Sequence, residues 1–269
     1  MPPPSQPRIV RAERLDAPVR VPVAIVGGGA CGLIAAIALR DAAVECVVLE
    51  RDAVPSGSTA LSSGFIPAAG TRTQAAQDIG DSTELFAEDI VNKSKATAAP
   101  HLVHAYTQAV APALDRLGEH GLRFEVLTGF LYPGHRVHRM HTLRERTGAA
   151  LVAAMHACAG AAGADVLTSA RVVELWADPQ DRILGVGMER PGGAMEHIAC
   201  DVLLLACNGF GGYPVRCVSC CRRCAMPCSP GTPAMTAAPS CGARRWARHW
   251  PTWAPTRATA PGWCRRGRS

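Results

Sequence analysis

Val23-Ala24-Ile25-Val26-Gly27-Gly28-Gly29-Ala30-Cys31-Gly32 decides how the rest of this sequence is read. The first four residues form a short apolar run of the kind buried on both faces of a parallel sheet. The next six satisfy G-x-G-x-x-G. Ala30 to Ala43 is rich in Ala, Leu and Ile and reads as a helix. Cys46-Val47-Val48-Leu49 then reads as a second strand, so the segment is a βαβ unit. In that context each glycine has a separate task. Gly27 permits the tight turn, Gly29 lets backbone approach a pyrophosphate at the helix N-terminus beside Ala30, and Gly32 lets helix and strand pack closely. Glu50 ends the second strand, where a carboxylate accepts hydrogen bonds from ribose hydroxyls. The fingerprint predicts a dinucleotide site and does not by itself separate NAD from FAD.

Working outward, Ser56 to Thr73 is a loop of Ser, Gly, Thr and Ala. Helical periodicity covers Ser82 to Ala96 and Pro100 to His120, the second with Leu102, Val103, Tyr106, Val110, Leu114 and Leu117 on its apolar face and Gly121 as its C-cap. Thr147 to Ala162 is a further helix stopping near Gly163. Strands are expected at 165–168, 171–176, 183–189 and 197–206, with Pro179-Gln180-Asp181 and Pro191-Gly192-Gly193 as turns. The order is βαβ, helices, then a β meander: an α/β, Rossmann-like fold with a parallel sheet.

Charge divides the chain. The 269 residues carry 28 Lys and Arg against 22 Asp and Glu, a formal net charge of +6. Residues 1–214 hold 18 of the bases and all the acids, and so are acidic; residues 215–269 hold ten Arg and no acid. Those last 55 residues also contain seven of the twelve Cys and four of the five Trp, and no Leu, Ile, Phe or Tyr. A segment of that composition does not build a core. Residues 1–21, rich in Pro and Arg, are expected to be a disordered leader. No apolar run is long enough for a transmembrane helix, and no secretory h-region follows Met1, so a cytoplasmic location is expected. Cys31, Cys46, Cys158, Cys200 and Cys207 then read as small buried hydrophobes.

Two further segments carry a family resemblance. Glu50-Arg51-Asp52-Ala53-Val54-Pro55-Ser56-Gly57-Ser58-Thr59-Ala60-Leu61-Ser62-Ser63-Gly64, continuing to Ala68-Ala69, resembles the FAD loop of the fumarate reductase / succinate dehydrogenase flavoproteins. Asp201-Val202-Leu203-Leu204-Leu205-Ala206-Cys207-Asn208-Gly209-Phe210 resembles that family's strand and glycine turn, with Asn208 in place of the first Gly. Asn tolerates positive φ, so the turn is expected to persist. Arg171-Val172-Val173-Glu174-Leu175 is similar to the family strand whose backbone faces adenine. The likeness covers residues 22–214.

It implies a FAD-binding domain without its capping domain. It also implies hydride transfer between flavin and a CH–CH bond beside a carbonyl or carboxylate of a small-molecule substrate. Gly27, Gly29, Ala30 and Gly32 would hold the pyrophosphate and Glu50 and Arg51 the ribose end. Ser58, Thr59, Ser63 and Gly64 would line the flavin side; Val173, Ala206, Asn208 and Gly209 would line the adenosine side. Ser58 and Thr59 stand where covalent members have His, so noncovalent FAD is implied. Arg139 and His141 match a family R-x-H near the flavin, where they would orient substrate or balance flavin charge. A solvated basic loop, His135 to His141, is the plainer expectation. No metal site is expected there, since no Cys or acid lies at ligand spacing.

After Pro214 the visible chain departs from the family. Cys217-x-x-Cys220 and Cys221-x-x-Cys224 have zinc-like spacing, and ten Arg with four Trp suit single-stranded nucleic acid. The preferred reading is a one-nucleotide frameshift. Shifting the phase permits a G-N-D-G turn, an Ala/Leu/Gly helix and then Q-x-H, which resemble the family. On that reading no nucleic-acid or metal partner is expected, and the catalytic residues lie past the break. The chain as written then binds FAD weakly or not at all and does not turn over.

Overall fold

The computed structural model describes residues 7–208. Gly209, Phe210 and all of 215–269, with the frameshift, metal and nucleic-acid readings attached to them, lie outside the described residues, as do residues 1–6. The chain divides into two compact units, and the division falls within one helix. Among the described residues, the first unit comprises 7–58 and 155–208, and the second comprises Thr59–Ala154.

In the first unit, β1 (Arg8–Arg11), β2 (Val19–Val26), α1 (Ala30–Asp41) and β3 (Cys46–Leu49) come before the division. The second unit carries β4 (Ile66–Pro67), α2 (Arg72–Ala75), α3 (Thr83–Lys93), α4 (Pro100–Glu119), β5 (Glu125–Val126) and β6 (Met140–Thr142). Helix α5 (Gly148–Ala161) leads back into the first unit, followed by β7 (Asp165–Leu167), β8 (Arg171–Ala177), β9 (Ile183–Glu189) and β10 (Met195–Leu205). Among the described residues, no helix is long and apolar enough to cross a membrane.

The first unit is built on a seven-stranded sheet of order β1-β8-β9-β10-β2-β3-β7. Strands β2 and β3 run parallel, with Val23 opposite Cys46 and Val26 opposite Leu49. β7 continues the parallel run beside β3 and β10 beside β2. β8, β9 and β10 pair antiparallel as the expected meander. One apolar cluster joins Ala24, Val47 and Leu49 to Leu175, Val186, Met188, Ile198 and Cys200. Helix α1 packs on β2 and β3 with Leu33, Ala36 and Ile37 fully buried. Burying Leu33 and Ile37 contributes about 1.5–3 kcal/mol each.

Several expectations need correction. Residues 8–11 and 19–21, expected within a disordered leader, are strand. Arg8–Arg11 is an edge strand, registered from Arg8 opposite Glu174 to Arg11 opposite Ala177, and β2 begins at Val19. Arg8 donates to the buried Glu174 carboxylate through Nε at 2.9 Å, and Arg11 Nη1 donates to the Asp178 carbonyl. Ile9 packs against the core cluster. Four residues are too few to show a period beside so many prolines. The cysteines also divide: Cys46, Cys158 and Cys200 are buried, but Cys31 is exposed and Cys207 half-buried. The buried face of α4 is Val103, Thr107, Val110, Leu114 and Leu117, while Leu102 and Tyr106 are exposed. Tyr106 instead donates its hydroxyl to the Pro67 carbonyl.

Helix ends follow the glycines closely. Gly121, at φ +93°, ends α4 in a Schellman turn with Leu122 N–H bonded to the Leu117 carbonyl. Gly163 does the same for α5, where Ala164 N–H reaches the Ala159 carbonyl. Helix α1 uses the same closure, Val44 N–H to Leu39 carbonyl, but with Ala43 at φ +57° in the glycine position.

Candidate functional site

The turn after β2 is fixed from both sides. Gly27 N–H donates to the Leu49 carbonyl at 2.9 Å, and Ala206 N–H donates to the Val26 carbonyl at 2.8 Å. Gly27 has φ +113°, and a Cβ there would lie 2.7 Å from the Ala206 oxygen. At Gly32 a Cβ would lie 2.0 Å from the Gly27 oxygen and 3.2 Å from Ile25 Cγ2. Both positions therefore exclude side chains for the reasons the fingerprint requires. Gly29 is the N-cap of α1 and offers no side-chain cap, and no acid stands in the helix's first turn. The positive end of the helix dipole favours an anion such as a pyrophosphate.

Glu50 is held in place by backbone. Its Oε2 accepts the Gly28 N–H at 2.7 Å and its Oε1 accepts the Asp52 N–H at 2.9 Å. Its own N–H donates to the Leu167 carbonyl, and its carbonyl accepts Ala170 N–H, both at 2.8 Å. The carboxylate is thus positioned at the end of β3 with lone pairs left to accept ribose hydroxyls. Arg51 turns onto the next residue: Nε and Nη2 donate to Asp52 Oδ1 and Oδ2, each at 3.1 Å, and Ser56 Oγ donates to Oδ2 at 3.0 Å. The Arg51 bond, opposed by burial, holds the Asp52 carboxyl below its ordinary range.

At the end of β10, Asn208 adopts φ +60°, so the turn is kept with Asn in the glycine position. Its Nδ2 donates to Ser58 Oγ at 3.4 Å. Burial pushes the Cys207 thiol up to about 11, so it stays protonated beside Glu50 and Arg51. Val173 is buried in β8, three residues after the Ala170–Glu50 bond. The structure therefore brings Gly27, Gly29, Ala30, Gly32, Glu50, Arg51, Ser58, Val173, Ala206 and Asn208 into one unit. That donor set fits the adenosine diphosphate half of a dinucleotide: a glycine-capped helix N-terminus for the phosphates and a fixed carboxylate for the ribose.

Thr59, Ser63 and Gly64 belong to the second unit. Gly64 is buried at φ +69°, where a Cβ would lie 2.7 Å from the Thr147 oxygen, and Ser63 is exposed. The sequence reading missed Gly148: a Cβ there would lie 1.9 Å from the Thr59 oxygen, and its N–H donates to the Ser62 carbonyl. Thr147 Oγ1 caps α5 by accepting the Ala150 N–H. A Thr-Gly pair opening an Ala-rich helix was the available signal.

Arg139 and His141 do not lie on a solvated loop. Both are fully buried, His141 on β6 and Arg139 just before it. Arg139 forks onto Asp81 through Nε at 2.9 Å and Nη2 at 2.8 Å, and Nη1 reaches Asp89 Oδ2 at 2.5 Å. Its guanidinium carbon stands 4.7 Å from the Phe86 ring centroid. Arg136 also donates to Asp89, and Gln74 Nε2 donates to Asp81. Burial would raise the Asp89 carboxyl, but hydrogen bonds from Arg136 and Arg139 outweigh it and hold it at about 2. His141 Nδ1–H donates to the Arg139 carbonyl, and its Nε2 accepts the Thr71 hydroxyl at 2.8 Å. Burial lowers the His141 pKa, consistent with this neutral tautomer. Arg136 and Arg139 offset Asp81 and Asp89, and Arg136 also pairs with Glu88 at 2.7 Å. Asp81 and Asp89 carried no signal in the sequence that would pair them with Arg139. Among the described residues, no group of three His, Cys, Asp or Glu is placed to hold a metal.

Comparison with known proteins agrees with this geometry. Residues 22–251 match the family model described as FAD binding domain, a match that runs past Pro214, where the sequence likeness was expected to end. A fumarate reductase (cytochrome) of Shewanella frigidimarina is 27% identical over 192 residues, which is 71% of this chain and 33% of that protein. An NADH:fumarate oxidoreductase of Klebsiella pneumoniae is 26% identical over 196 residues, covering 72% of this chain and 21% of that one. The open conformation of a flavocytochrome c3 fumarate reductase superposes with a TM-score of 0.76 at 22% identity, over 85% of this chain and 41% of that chain. The chain spans about a third of the first of these relatives.

Proposed function

The chain belongs to the FAD binding domain family, and from that premise we propose that it is the nucleotide-binding part of a flavin-dependent oxidoreductase of the fumarate reductase type. The observation that carries the proposal is Glu50, fixed by Gly28 N–H at the end of β3 beside the N-terminus of α1. FAD, when bound, supplies a hydride donor and acceptor for a C–C bond activated by a neighbouring carbonyl or carboxylate. The described residues serve binding and orientation. Gly29 and Ala30 at the start of α1 hold the pyrophosphate, Glu50 holds the adenosine ribose, and Val173, Ala206 and Asn208 border the adenosine. Ser58, Thr59, Ser63 and Gly64 offer small groups and hydroxyls toward the flavin, which is held noncovalently. Arg139 and His141 act as positioning residues within their buried network rather than as substrate ligands. By the family resemblance Gly209 would line the adenosine side, and we read residues 215–269 as out-of-frame translation.

In the whole enzyme the substrate is a small unsaturated carboxylate or carbonyl compound, and proton delivery belongs to residues outside 7–208. Preferential stabilisation of a transition state needs such positioned groups. This chain as written is therefore expected to bind FAD weakly or not at all and not to turn over.

The test loads purified protein with FAD, records its absorption, and precipitates it with acid. The expected result is flavin that stays in the supernatant, and reduced FAD that fumarate reoxidises no faster than free flavin. Flavin remaining in the pellet refutes noncovalent binding. Zinc content, or salt-sensitive retention on single-stranded DNA without flavin, supports the Cys/Arg/Trp tail reading instead. Stop codons in the shifted phase between Val215 and Trp263 refute the frameshift.

A further inference from the structure

Glu50 is followed directly by Arg51 and Asp52. In dinucleotide sites of this topology a carboxylate selects a ribose 2′-hydroxyl, whereas a nearby Arg accommodates a 2′-phosphate. This chain carries both residue types side by side, so the arrangement around Arg51 decides which behaviour prevails. Arg51 has the fork that would grip a phosphate. Asp52 engages it, accepting Nε on one carboxylate oxygen and Nη2 on the other, each at 3.1 Å. Asp52 is itself fixed: its N–H donates to Glu50 Oε1 at 2.9 Å, and Ser56 Oγ donates to its Oδ2 at 3.0 Å. The three side chains sum to one negative charge at the ribose end, which the dianion of a 2′-phosphate must approach.

We propose that Asp52 is a specificity-determining residue: by holding Arg51 it makes the site accept an unphosphorylated adenosine ribose, as in FAD, and refuse the 2′-phosphorylated ribose of NADP(H). The inference rests on the reading of Glu50 as the ribose ligand. It goes beyond that reading by assigning the discrimination to a residue that need not touch the nucleotide. Removing the Asp52 charge while keeping its shape leaves Glu50 in place. It neutralises the ribose end and weakens the hold on the Arg51 fork.

The experiment is calorimetric titration of the full chain with ADP and with adenosine 2′,5′-bisphosphate, for wild type, Asp52→Asn, and Asp52→Asn combined with Arg51→Ala. Wild type is expected to prefer ADP by about tenfold or more, on the scale of one unit charge acting over a few ångströms of partly solvated protein. Asp52→Asn is expected to shrink that preference by about three- to tenfold, mainly through tighter binding of the bisphosphate. The double variant should lose that gain, which identifies Arg51 as the group released. Circular dichroism verifies that each variant is folded. If ADP binds all three proteins but the preference is the same in each, Asp52 does not determine specificity. If ADP fails to bind the folded wild type, the ribose-site reading itself falls.

Discussion

Replacing Arg139 by Gln separates a structural role from a flavin-side role. The side chain is fully buried and makes two bonds to Asp81 and one to Asp89, with Phe86 beneath it. Breaking a buried ion pair from one side costs about 3–5 kcal/mol, because the orphaned carboxylate stays desolvated. The lost cation–π contact adds about 1 kcal/mol. Against this, Gln74 remains on Asp81 and Arg136 on Asp89, so each carboxylate keeps one donor. A net loss of about 3 kcal/mol in the second unit is therefore expected. Arg139→Lys keeps the charge without the fork and should lose less. Two units need not unfold together, so a single global midpoint is the wrong observable. Hydrogen exchange of peptides covering 83–93 and 140–142, followed against urea, reads the affected unit directly. A loss below about 0.5 kcal/mol, with flavin binding abolished, refutes the structural reasoning and returns Arg139 to the flavin side.

Other perturbations have defined outcomes. Ala43→Gly should stabilise the first unit by about 0.5 kcal/mol. Relief of a left-handed alanine outweighs the added freedom of the unfolded chain, as hydrogen exchange of peptides covering 30–49, followed against urea, would show. Acid should weaken the second unit. The Asp89 carboxyl lies at about 2 when folded against 3.8 for the free group, so its stabilisation is complete above 3.8 and disappears as pH falls toward 2. Exchange protection of residues 83–93 measured from pH 5 to 2 checks the window; Asp89→Asn should flatten it. Alkylation mapped by mass spectrometry should label the exposed Cys31 in native protein and spare Cys46, Cys158 and Cys200, whose thiols burial raises, until denaturant is added.

The sequence was most legible where spacing and backbone requirement coincide. The βαβ unit, its three glycines and Glu50 were readable because each glycine answers a steric need that survives in any context. The meander was readable because each strand is bounded by Pro, Gly or Asp turns. The strand Arg8–Arg11 was not, since its stability comes from β8 and Glu174, more than 160 positions away. The strand pairs 66–67, 125–126 and 140–142 are too short for any period. Arg139 illustrates the limit at the site. A basic run of alternating His and Arg looks solvated unless the acids that bury it are known, and those acids come from a separate segment.

The most direct test of the central claim compares FAD with FMN. If the first unit binds through the adenosine half, the full chain takes up FAD saturably and ADP displaces it. FMN, which lacks adenosine, then binds at least about tenfold more weakly, because the phosphate turn and Glu50 find no ribose to hold. FMN binding as tightly as FAD, or FAD binding that ADP leaves untouched, would contradict the account.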